Sequence, residues 1–240
     1  MDLKEEDILG EKIHEHWYYI SKGRAMQKFL GDIKAPEVLD VGAGSGIFSR
    51  QLLDNGLCES AVCLDTNYPE EKTETYHGKQ IHFVKTITNR SQKLILMMDV
   101  LEHVPDDLAL LKEFVDGMEA GGHVFITVPA FQFMWSGHDV FLEHYRRYTI
   151  GMIEAVVKRA GMTPVKSRYF FGSLFPALMV IRLIKKALFH RGAIQAQSET
   201  SLYPDWLNTA LITVHDIERR TFFNYNKLFG LSIFCMCRKN

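Results

Sequence analysis

The sequence lacks the features of a membrane-spanning, secreted or disulfide-linked protein. Its most apolar run, residues 169–181, is interrupted by Gly172, Ser173 and Pro176 and stops short of the about 20 residues that a transmembrane helix needs. The N-terminus is acidic and has no apolar stretch followed by small residues, so it does not resemble a secretory signal. The four cysteines form no C-x2-C pair, which indicates buried thiols rather than zinc ligands or disulfides. We therefore expect a cytoplasmic protein.

An excess of charge is also missing. Lys and Arg number 28 against 29 Asp and Glu, a formal net charge of -1, so no global basic field favours a nucleic acid partner. The 240 residues are 47% hydrophobic, which is enough for one core and short for two full domains. We expect a single domain over residues 1–240.

Short apolar runs alternate with helical patterns along the chain. Strands are predicted at residues 38–41, 61–64, 81–84, 94–98, 124–128, 165–171 and 231–237. Helices are predicted at residues 13–30, 105–121, 149–160, 174–190 and 204–223. This alternation is typical of an α/β fold with a parallel sheet. The last two helices form an insertion, residues 172–225, before the final strand.

Residues 38–48, VLDVGAGSGIF, run from a strand through a glycine-rich turn into a helix. The glycines alternate, at Gly42, Gly44 and Gly46. Ile47 breaks the G-x-G-x-x-G spacing of dinucleotide binders. Asp40 precedes the turn, and Asp65 ends the next strand, where a carboxylate can accept hydrogen bonds from ribose hydroxyls. The pattern favours an adenosine-type ligand, and the alternative is a tight turn beside two ordinary carboxylates.

With this motif the sequence resembles the class I S-adenosylmethionine-dependent methyltransferases. The stretches LILMMDVLEHVPDD, GGHVFITVP and FGLSIFCMCRK are similar to the family's fourth strand with its loop, its fifth strand and its closing antiparallel strand. HWYYISKGR, HDVFLEHYRRYT and LN followed by IERR are similar to a bacterial subgroup with a HYRRYT-type loop. One departure is Lys85-Thr86-Ile87-Thr88, where the family often has an acidic residue near adenine. The resemblance implies a doubly wound, mainly parallel seven-stranded sheet of Rossmann-like type.

The resemblance also implies S-adenosylmethionine as the cofactor and S-adenosylhomocysteine as its product. The residues that it assigns to the cofactor are Arg24, Asp40, Gly42, Ala43, Gly44, Gly46, Asp65, Thr66 and Asp99. Residues 1–35 would form a helical lid over the cofactor, although a helix packed on the sheet explains the aromatic residues there equally well.

Three polar residues follow the strand at 94–98, at the carboxyl edge where open α/β sheets bind ligands. They are Asp99, Glu102 and His103. His103 is the candidate general base, because an ordinary imidazole pKa lies near physiological pH, and Glu102 could orient it. The alternative is that these residues only shape the loop.

A second polar cluster, HYRRY at residues 144–148, follows the strand at 124–128. His144 and Arg147, together with Tyr19, are the candidate acceptor contacts, since an arginine there could receive a carboxylate or phosphate. The alternative is a structural loop whose arginines pair with acids.

A divalent cation is a further alternative at this edge. Asp99, Glu102 and His103, with His138 or His144, could bind a metal ion that orients acceptor hydroxyls. From the sequence we favour a site without a metal, because the spacing does not pair the remote histidine with the loop.

The insertion carries an apolar stripe and basic residues over 174–191. Its apolar members are Ala177, Ile181, Ile184 and Leu188, and its basic members are Arg182, Lys185, Lys186 and Arg191. Such a helix could touch a membrane surface. We favour packing on the helix at 204–223, so that the pair forms an acceptor lid.

These observations predict a methyltransferase that acts on a small-molecule, glycan or lipid-linked acceptor, at oxygen in preference to other atoms. The alternative from another class is a catalytically silent module that binds an adenosine cofactor and regulates a partner. A nicotinamide-dependent oxidoreductase ranks third, because no hydride-transfer site is identifiable. The sequence makes no prediction of oligomeric state.

Overall fold

The computed structural model describes residues 8–88, 90–188, 196, 198–199 and 201–240. Residues 1–7 of the predicted lid and 189–191 of the predicted membrane-contact segment lie outside this part of the chain, as do the side chains of Lys185, Lys186 and Leu188.

Eight strands form one mixed sheet in the order β3-β4-β2-β1-β5-β6-β8-β7. The strands are β1 (Ala35–Val41), β2 (Cys58–Leu64), β3 (Lys72–Tyr76), β4 (Lys79–Val84), β5 (Leu94–Met98), β6 (His123–Pro129), β7 (Met162–Phe170) and β8 (Ser232–Lys239). The five central strands, β4-β2-β1-β5-β6, are parallel, whereas β3, β7 and β8 pair antiparallel with their neighbours.

The helices cover both faces of this sheet. They are α1 (Trp17–Leu30), α2 (Ile47–Asp54), α3 (Asp107–Val115), α4 (Gly137–Phe141), α5 (Ile150–Arg159), α6 (Phe175–Leu188) and α7 (Asp205–Thr221). Apolar side chains of α1 and α2 belong to one buried cluster, and those of α3 and α5 belong to the other. β5 shows why the central strands read as continuous apolar runs: Leu94, Leu96 and Met98 lie in the first cluster, while Ile95 and Met97 lie in the second.

The predicted fold class is confirmed, with eight strands in place of seven. The added strand is β3, which forms a hairpin with β4 through a turn at His77 and Gly78, both of which have positive φ angles. Its five residues are polar and largely exposed, so the apolar patterns that predicted the other strands did not reveal it.

The predicted helix at 105–121 is shorter in the structure. Asp106 caps α3 by accepting a hydrogen bond from the amide of Ala109, but the helix ends at Val115. Gly117, just beyond the helix end, is a weak helix former. The chain also passes close to Arg90 there, since a Cβ at Gly117 would lie 2.9 Å from the Cβ of Arg90. Thr149 caps α5, since its hydroxyl accepts a hydrogen bond from the amide of Met152 at 3.3 Å.

The two helices of the insertion lie between β7 and β8 but pack on different partners. α7 lies along α1, where the Asn208 side chain accepts from the amide of Trp17 and donates to the carbonyl of Glu15, both at 2.8 Å. α6 contacts the segment after β6, where Arg182 donates to the carbonyl of Met134 at 2.6 Å. The expected packing of α6 on α7 is not found among the side chains that the structure describes, where Ile184 of α6 and Ile217 of α7 are more than half exposed.

Within the described residues, no helix combines the length and the apolar character that crossing a membrane requires.

The glycine-rich turn between β1 and α2 should tolerate a side chain poorly at Gly46. This residue has a φ of 72°, and an added Cβ would lie 3.1 Å from Phe83 and 3.2 Å from the Cys63 sulfur. Gly46→Ala is expected to lower the free energy of unfolding by about 1–3 kcal/mol, through backbone strain and overpacking. Urea denaturation without cofactor measures it.

Gly151→Ala is the matched control. Gly151 lies in α5, and an added Cβ would meet nothing within 4 Å, so alanine should raise the free energy of unfolding by about 0.5–1 kcal/mol. Equal effects of the two substitutions would contradict the described turn.

Candidate active site

The carboxyl ends of β1 and β5 lie side by side at the centre of the sheet. The two strands are parallel, with Val41 opposite Met97. β2 flanks β1 on its other side, so the direction of strand succession changes between β1 and β5. Open α/β sheets bind ligands in the crevice at such a switch point. The glycine-rich turn after β1 and Asp99 after β5 therefore share this crevice.

The turn after β1 is held in an unusual backbone conformation. Gly42, Gly44 and Gly46 have φ angles of 67°, 52° and 72°. The amides of Gly42 and Ala43 both donate to the carbonyl of Leu64, at 2.7 and 3.2 Å. A Cβ at Gly42 would lie 2.8 Å from the Val100 side chain, so the backbone passes close to the loop after β5. The three positions with positive φ angles therefore favour glycine.

Asp65, at the end of β2, anchors the same turn. Its carboxylate accepts from the amide of Gly44 at 3.2 Å and from the amide of Asn67 at 2.9 Å. The hydroxyl of Tyr68 donates to the carbonyl of Gly44 at 2.6 Å. Thr66 is exposed beside Asp65. The acidic strand end and the glycine turn are thus one hydrogen-bonded unit.

Asp40 is buried between β1 and α2. The hydroxyl of Ser49, in α2, donates to its carboxylate at 2.8 Å. This contact ties the strand to the helix that follows the glycine turn.

Asp99 forms a buried ion pair with Lys22 of α1. The hydroxyl of Tyr18, one helical turn before Lys22, donates to the same carboxylate at 3.1 Å, and Thr127 of β6 donates to its second oxygen at 2.9 Å. Burial alone raises the pKa of Asp99, but the ammonium group and the two hydroxyls bring it below its ordinary value. Asp99 is therefore ionised. Its backbone lies in the left-handed region, with a φ of 55°.

The short helical turn Leu101–His103 brings three further side chains together. Glu102 is fully buried, and the rings of His103 and His144 lie edge to face with centroids 4.6 Å apart. One ligand atom from each of these residues lies within 4.8 Å of the others. We call Glu102, His103 and His144 the carboxylate–histidine cluster.

Burial dominates the electrostatics of this cluster. Burial, followed by the neighbouring Asp99 carboxylate, raises the pKa of Glu102 well above its usual range. Burial and the nearby His144 lower the pKa of His103 to about 3. The His103 imidazole is consequently neutral at physiological pH.

The loop of the HYRRYT motif braces the loop after β5. The amide of Tyr145 donates to the carbonyl of Glu102 at 2.7 Å, and Arg146 donates to the carbonyls of Val104 and Pro105. The hydroxyl of Tyr148 donates to the carbonyl of Leu101 at 3.2 Å. These contacts determine where His144 lies relative to His103.

Comparison with known proteins agrees with this geometry. A family model described as a methyltransferase domain matches residues 14–167. The chain belongs to this family. This places it among the class I S-adenosylmethionine-dependent methyltransferases.

The similarity to individual curated proteins is limited to part of the chain. The chain is 30% identical over 108 residues to a ubiquinone biosynthesis O-methyltransferase of Yersinia pestis, a match that covers 40% of this chain and 44% of that protein. The chain thus spans less than half the length of the curated relatives that it matches.

Two solved structures show the same fold. The first is an S-adenosylmethionine-dependent methyltransferase from Archaeoglobus fulgidus, with 14% identity, a TM-score of 0.55 and coverage of 99% of this chain and 98% of that one. The second is a phosphoethanolamine N-methyltransferase from Haemonchus contortus with S-adenosylhomocysteine bound, with 12% identity, a TM-score of 0.53 and coverage of 91% and 52%.

The methyltransferase brings only some of the predicted site residues together. The glycine turn, Asp65 and Asp99 gather at the crevice, whereas Arg24 pairs with Asp216 of α7 at 2.7 Å and is 44% exposed. Tyr19 is buried against Phe48 in the core. Their positions on α1 are the physical reason, because neither shares the helix face that presents Tyr18 and Lys22 to Asp99.

Arg147 is engaged in structure rather than open to a ligand. It is buried and donates to both oxygens of Asp139, at 2.7 and 3.0 Å, and to the carbonyl of Ala130 at 3.2 Å. The predicted binding of an acceptor carboxylate by this arginine conflicts with these contacts. Of the two histidines considered with the loop after β5, His144 joins the cluster, while His138 accepts from the amide of Glu199.

Sequence reasoning missed Tyr18, Lys22 and Asp139. The i, i+4 spacing of Tyr18 and Lys22 was a usable signal, since it places both side chains on one helix face. Ser136 and Asp139 have the spacing of a capping box, and the structure contains that box at the start of α4.

Lys22→Met tests the buried ion pair. It leaves the Asp99 charge buried without its cation, so we expect a loss of about 3–5 kcal/mol in the free energy of unfolding. The double variant Lys22→Met/Asp99→Asn removes both charges and should recover much of this loss. Urea denaturation of both variants measures the difference. If Lys22→Met leaves the free energy of unfolding unchanged, the ion pair does not form.

Proposed function

We propose that this methyltransferase transfers a methyl group to a hydroxyl oxygen of a small-molecule, glycan or lipid-linked acceptor. The observation that carries the proposal is the carboxylate–histidine cluster beside the switch-point crevice, which joins Glu102 and His103 of the loop after Asp99 with His144 of the loop after β6. A hydroxyl loses its proton when it is methylated. A hydroxyl acceptor therefore needs a group that accepts this proton or favours its loss. The partial similarity to an enzyme named as an O-methyltransferase supports the same atom.

The glycine turn and Asp65 are the proposed cofactor site. The turn leaves no room for a side chain at Gly42, and close backbone approach is what a bound ligand at this place requires. Asp65 accepts two backbone hydrogen bonds but, with about four lone-pair positions, retains acceptor capacity for ribose hydroxyls. The proposed site also includes Ala43 and Gly46 of the turn and Thr66 beside Asp65. Asp40 and Asp99 lie next to it, near the ends of β1 and β5.

S-adenosylmethionine bound there supplies an electrophilic methyl group. A hydroxyl that receives this methyl group would lose its proton, and His103 is the candidate acceptor of that proton. The chain contributes by excluding water and aligning the acceptor. Lys22 holds Asp99 in place, and Tyr18 presents its ring toward Phe171 with centroids 5.3 Å apart, which forms an apolar wall next to this carboxylate.

The general-base role of His103 stays a prediction, with Glu102 as its neighbour. Its neutral imidazole can accept a proton, but a pKa of about 3 makes it a weak base without further assistance.

The outer face of the insertion supports a lipid-linked acceptor within this proposal. Val180, Ile181, Leu183 and Ile184 of α6 are each about half exposed, which suits an apolar surface or chain. The same face is where we propose peripheral membrane contact, and residues 172–225 are the proposed acceptor lid.

Calorimetric titration with S-adenosylmethionine, S-adenosylhomocysteine and NAD tests the cofactor site. We expect saturable binding of both sulfur ligands and none of NAD. Asp65→Asn keeps the shape of the side chain but loses its charge and one acceptor, and should weaken the sulfur ligands at least about tenfold, or 1.4 kcal/mol.

Asp32→Asn is the control, because Asp32 is exposed in the turn before β1, at the opposite end of the strand. It should leave both affinities within about twofold. Failure of the folded wild-type chain to bind either sulfur ligand would overturn the assignment of the turn.

Turnover on hydroxyl acceptors tests the reaction. Phenols, sugars and lipid-linked alcohols are incubated with isotopically methyl-labelled S-adenosylmethionine, with amines in parallel, and labelled products are identified by mass spectrometry. We expect label on oxygen, and His103→Ala should lower turnover by about 10²–10⁴ with unchanged cofactor affinity.

His138→Ala, on the neighbouring loop, should retain turnover. Unchanged turnover of His103→Ala on a hydroxyl acceptor would remove His103 from the reaction. Cofactor binding without turnover on any acceptor would instead favour the silent regulatory module.

A further inference from the structure

Three side chains of the carboxylate–histidine cluster have buried polar atoms without a hydrogen-bond partner. Neither carboxyl oxygen of Glu102 has a hydrogen-bond partner on another described residue, and the same holds for the Nε2 atoms of His103 and His144. Buried polar atoms are nearly always satisfied, so a group of three calls for an explanation.

The other ring nitrogen explains why Nε2 of His144 carries a lone pair. The Nδ1 atom of His144 lies 2.9 Å from the carboxylate of Asp139, which can only accept, so Nδ1 carries the proton. The His144 ring therefore presents an unprotonated Nε2 to the cluster, beside the unpartnered Nε2 of His103.

Asp139 is itself held firmly. Arg147 donates to both of its oxygens, and the amide of Ser136 donates to it at 2.8 Å. A carboxylate behind an imidazole is a usual support of a metal-binding histidine, since it fixes the tautomer and the ring orientation.

We propose that Glu102, His103 and His144 bind one divalent first-row transition-metal cation. A cation bound by all three side chains would satisfy these polar atoms at once, and one ligand atom from each residue already lies within 4.8 Å of the others. Two imidazoles with one carboxylate suit Zn²⁺, Mn²⁺ or Fe²⁺ better than Mg²⁺ or Ca²⁺, which prefer oxygen ligands.

This ligand set differs from the one considered on the sequence. Asp99 is committed to Lys22 and to two hydroxyls, and His138 accepts from a backbone amide outside the cluster. Three protein ligands also leave positions open at the cation. The binding site rests on the cluster alone, whereas its use rests on the proposed function. A bound cation would orient an acceptor hydroxyl and favour loss of its proton, in place of a general base at His103, which would then be a ligand.

Metal binding to the tag-free full chain tests the site directly. The chain is stripped with a chelator and titrated separately with Zn²⁺, Mn²⁺ and Mg²⁺ by calorimetry, and bound metal is counted by mass spectrometry after dialysis. We expect one equivalent of Zn²⁺ or Mn²⁺ to bind more tightly than Mg²⁺. Loading with Co²⁺ should give visible absorption bands that report imidazole ligation.

Variants assign the ligands. Glu102→Gln and His144→Gln should each weaken binding by 100-fold or more, and Asp139→Asn by about 10–100-fold, because it acts through the His144 ring. His138→Gln is the matched control and should bind as the wild type does. All variants should bind S-adenosylhomocysteine normally, so a lost metal site is distinguishable from a failed cofactor assignment.

Two results would overturn the proposal. One is a folded chain that binds S-adenosylhomocysteine but none of the three metals at millimolar concentration. The other is metal binding that Glu102→Gln and His144→Gln leave unchanged. A proton shared between Glu102 and an imidazole would then be the better explanation of the cluster.

Discussion

Burial of the central strands on both faces is the constraint on which the rest of the structure depends. All five residues of β5 are buried and apolar. The first polar side chain of this segment is Asp99, which follows the strand at the edge of the sheet. The few polar side chains inside the sheet satisfy one another across elements, as Asp40 does with Ser49 and Thr127 with Asp99. Polar chemistry is left to the loops at the carboxyl ends, and the crevice between β1 and β5 collects them.

The loop after β6 then gives the loop after β5 its shape. Tyr145, Arg146 and Tyr148 satisfy backbone carbonyls of residues 101–105, which have no strand or long helix to do so. Arg147 and Asp139 form a buried pair within the brace. Most of the dense polar motif is therefore structural, and only His144 turns toward the crevice. Its position is a consequence of the brace.

α1 shows how much and how little could be predicted. Its helical pattern was clear from the sequence, but the choice among Tyr18, Tyr19, Lys22 and Arg24 depended on which face meets the sheet. Lys22 can be buried only because Asp99 supplies an opposite charge, and the two residues are distant in the chain. Arg24 lies on another face and meets α7 instead. Sequence spacing groups side chains by face, but it does not say which face is covered.

The sequence by itself determined the alternation of strands and helices, the glycine turn and the carboxylates at strand ends, because these depend on local periodicity and on backbone conformations that few residues adopt. It also determined the family. The tertiary structure alone decided the ion pair of Lys22 with Asp99, the different packing partners of α6 and α7, and the meeting of Glu102, His103 and His144. These contacts join residues far apart in the chain, and their energies come from burial and charge compensation that exist only once the sheet has formed.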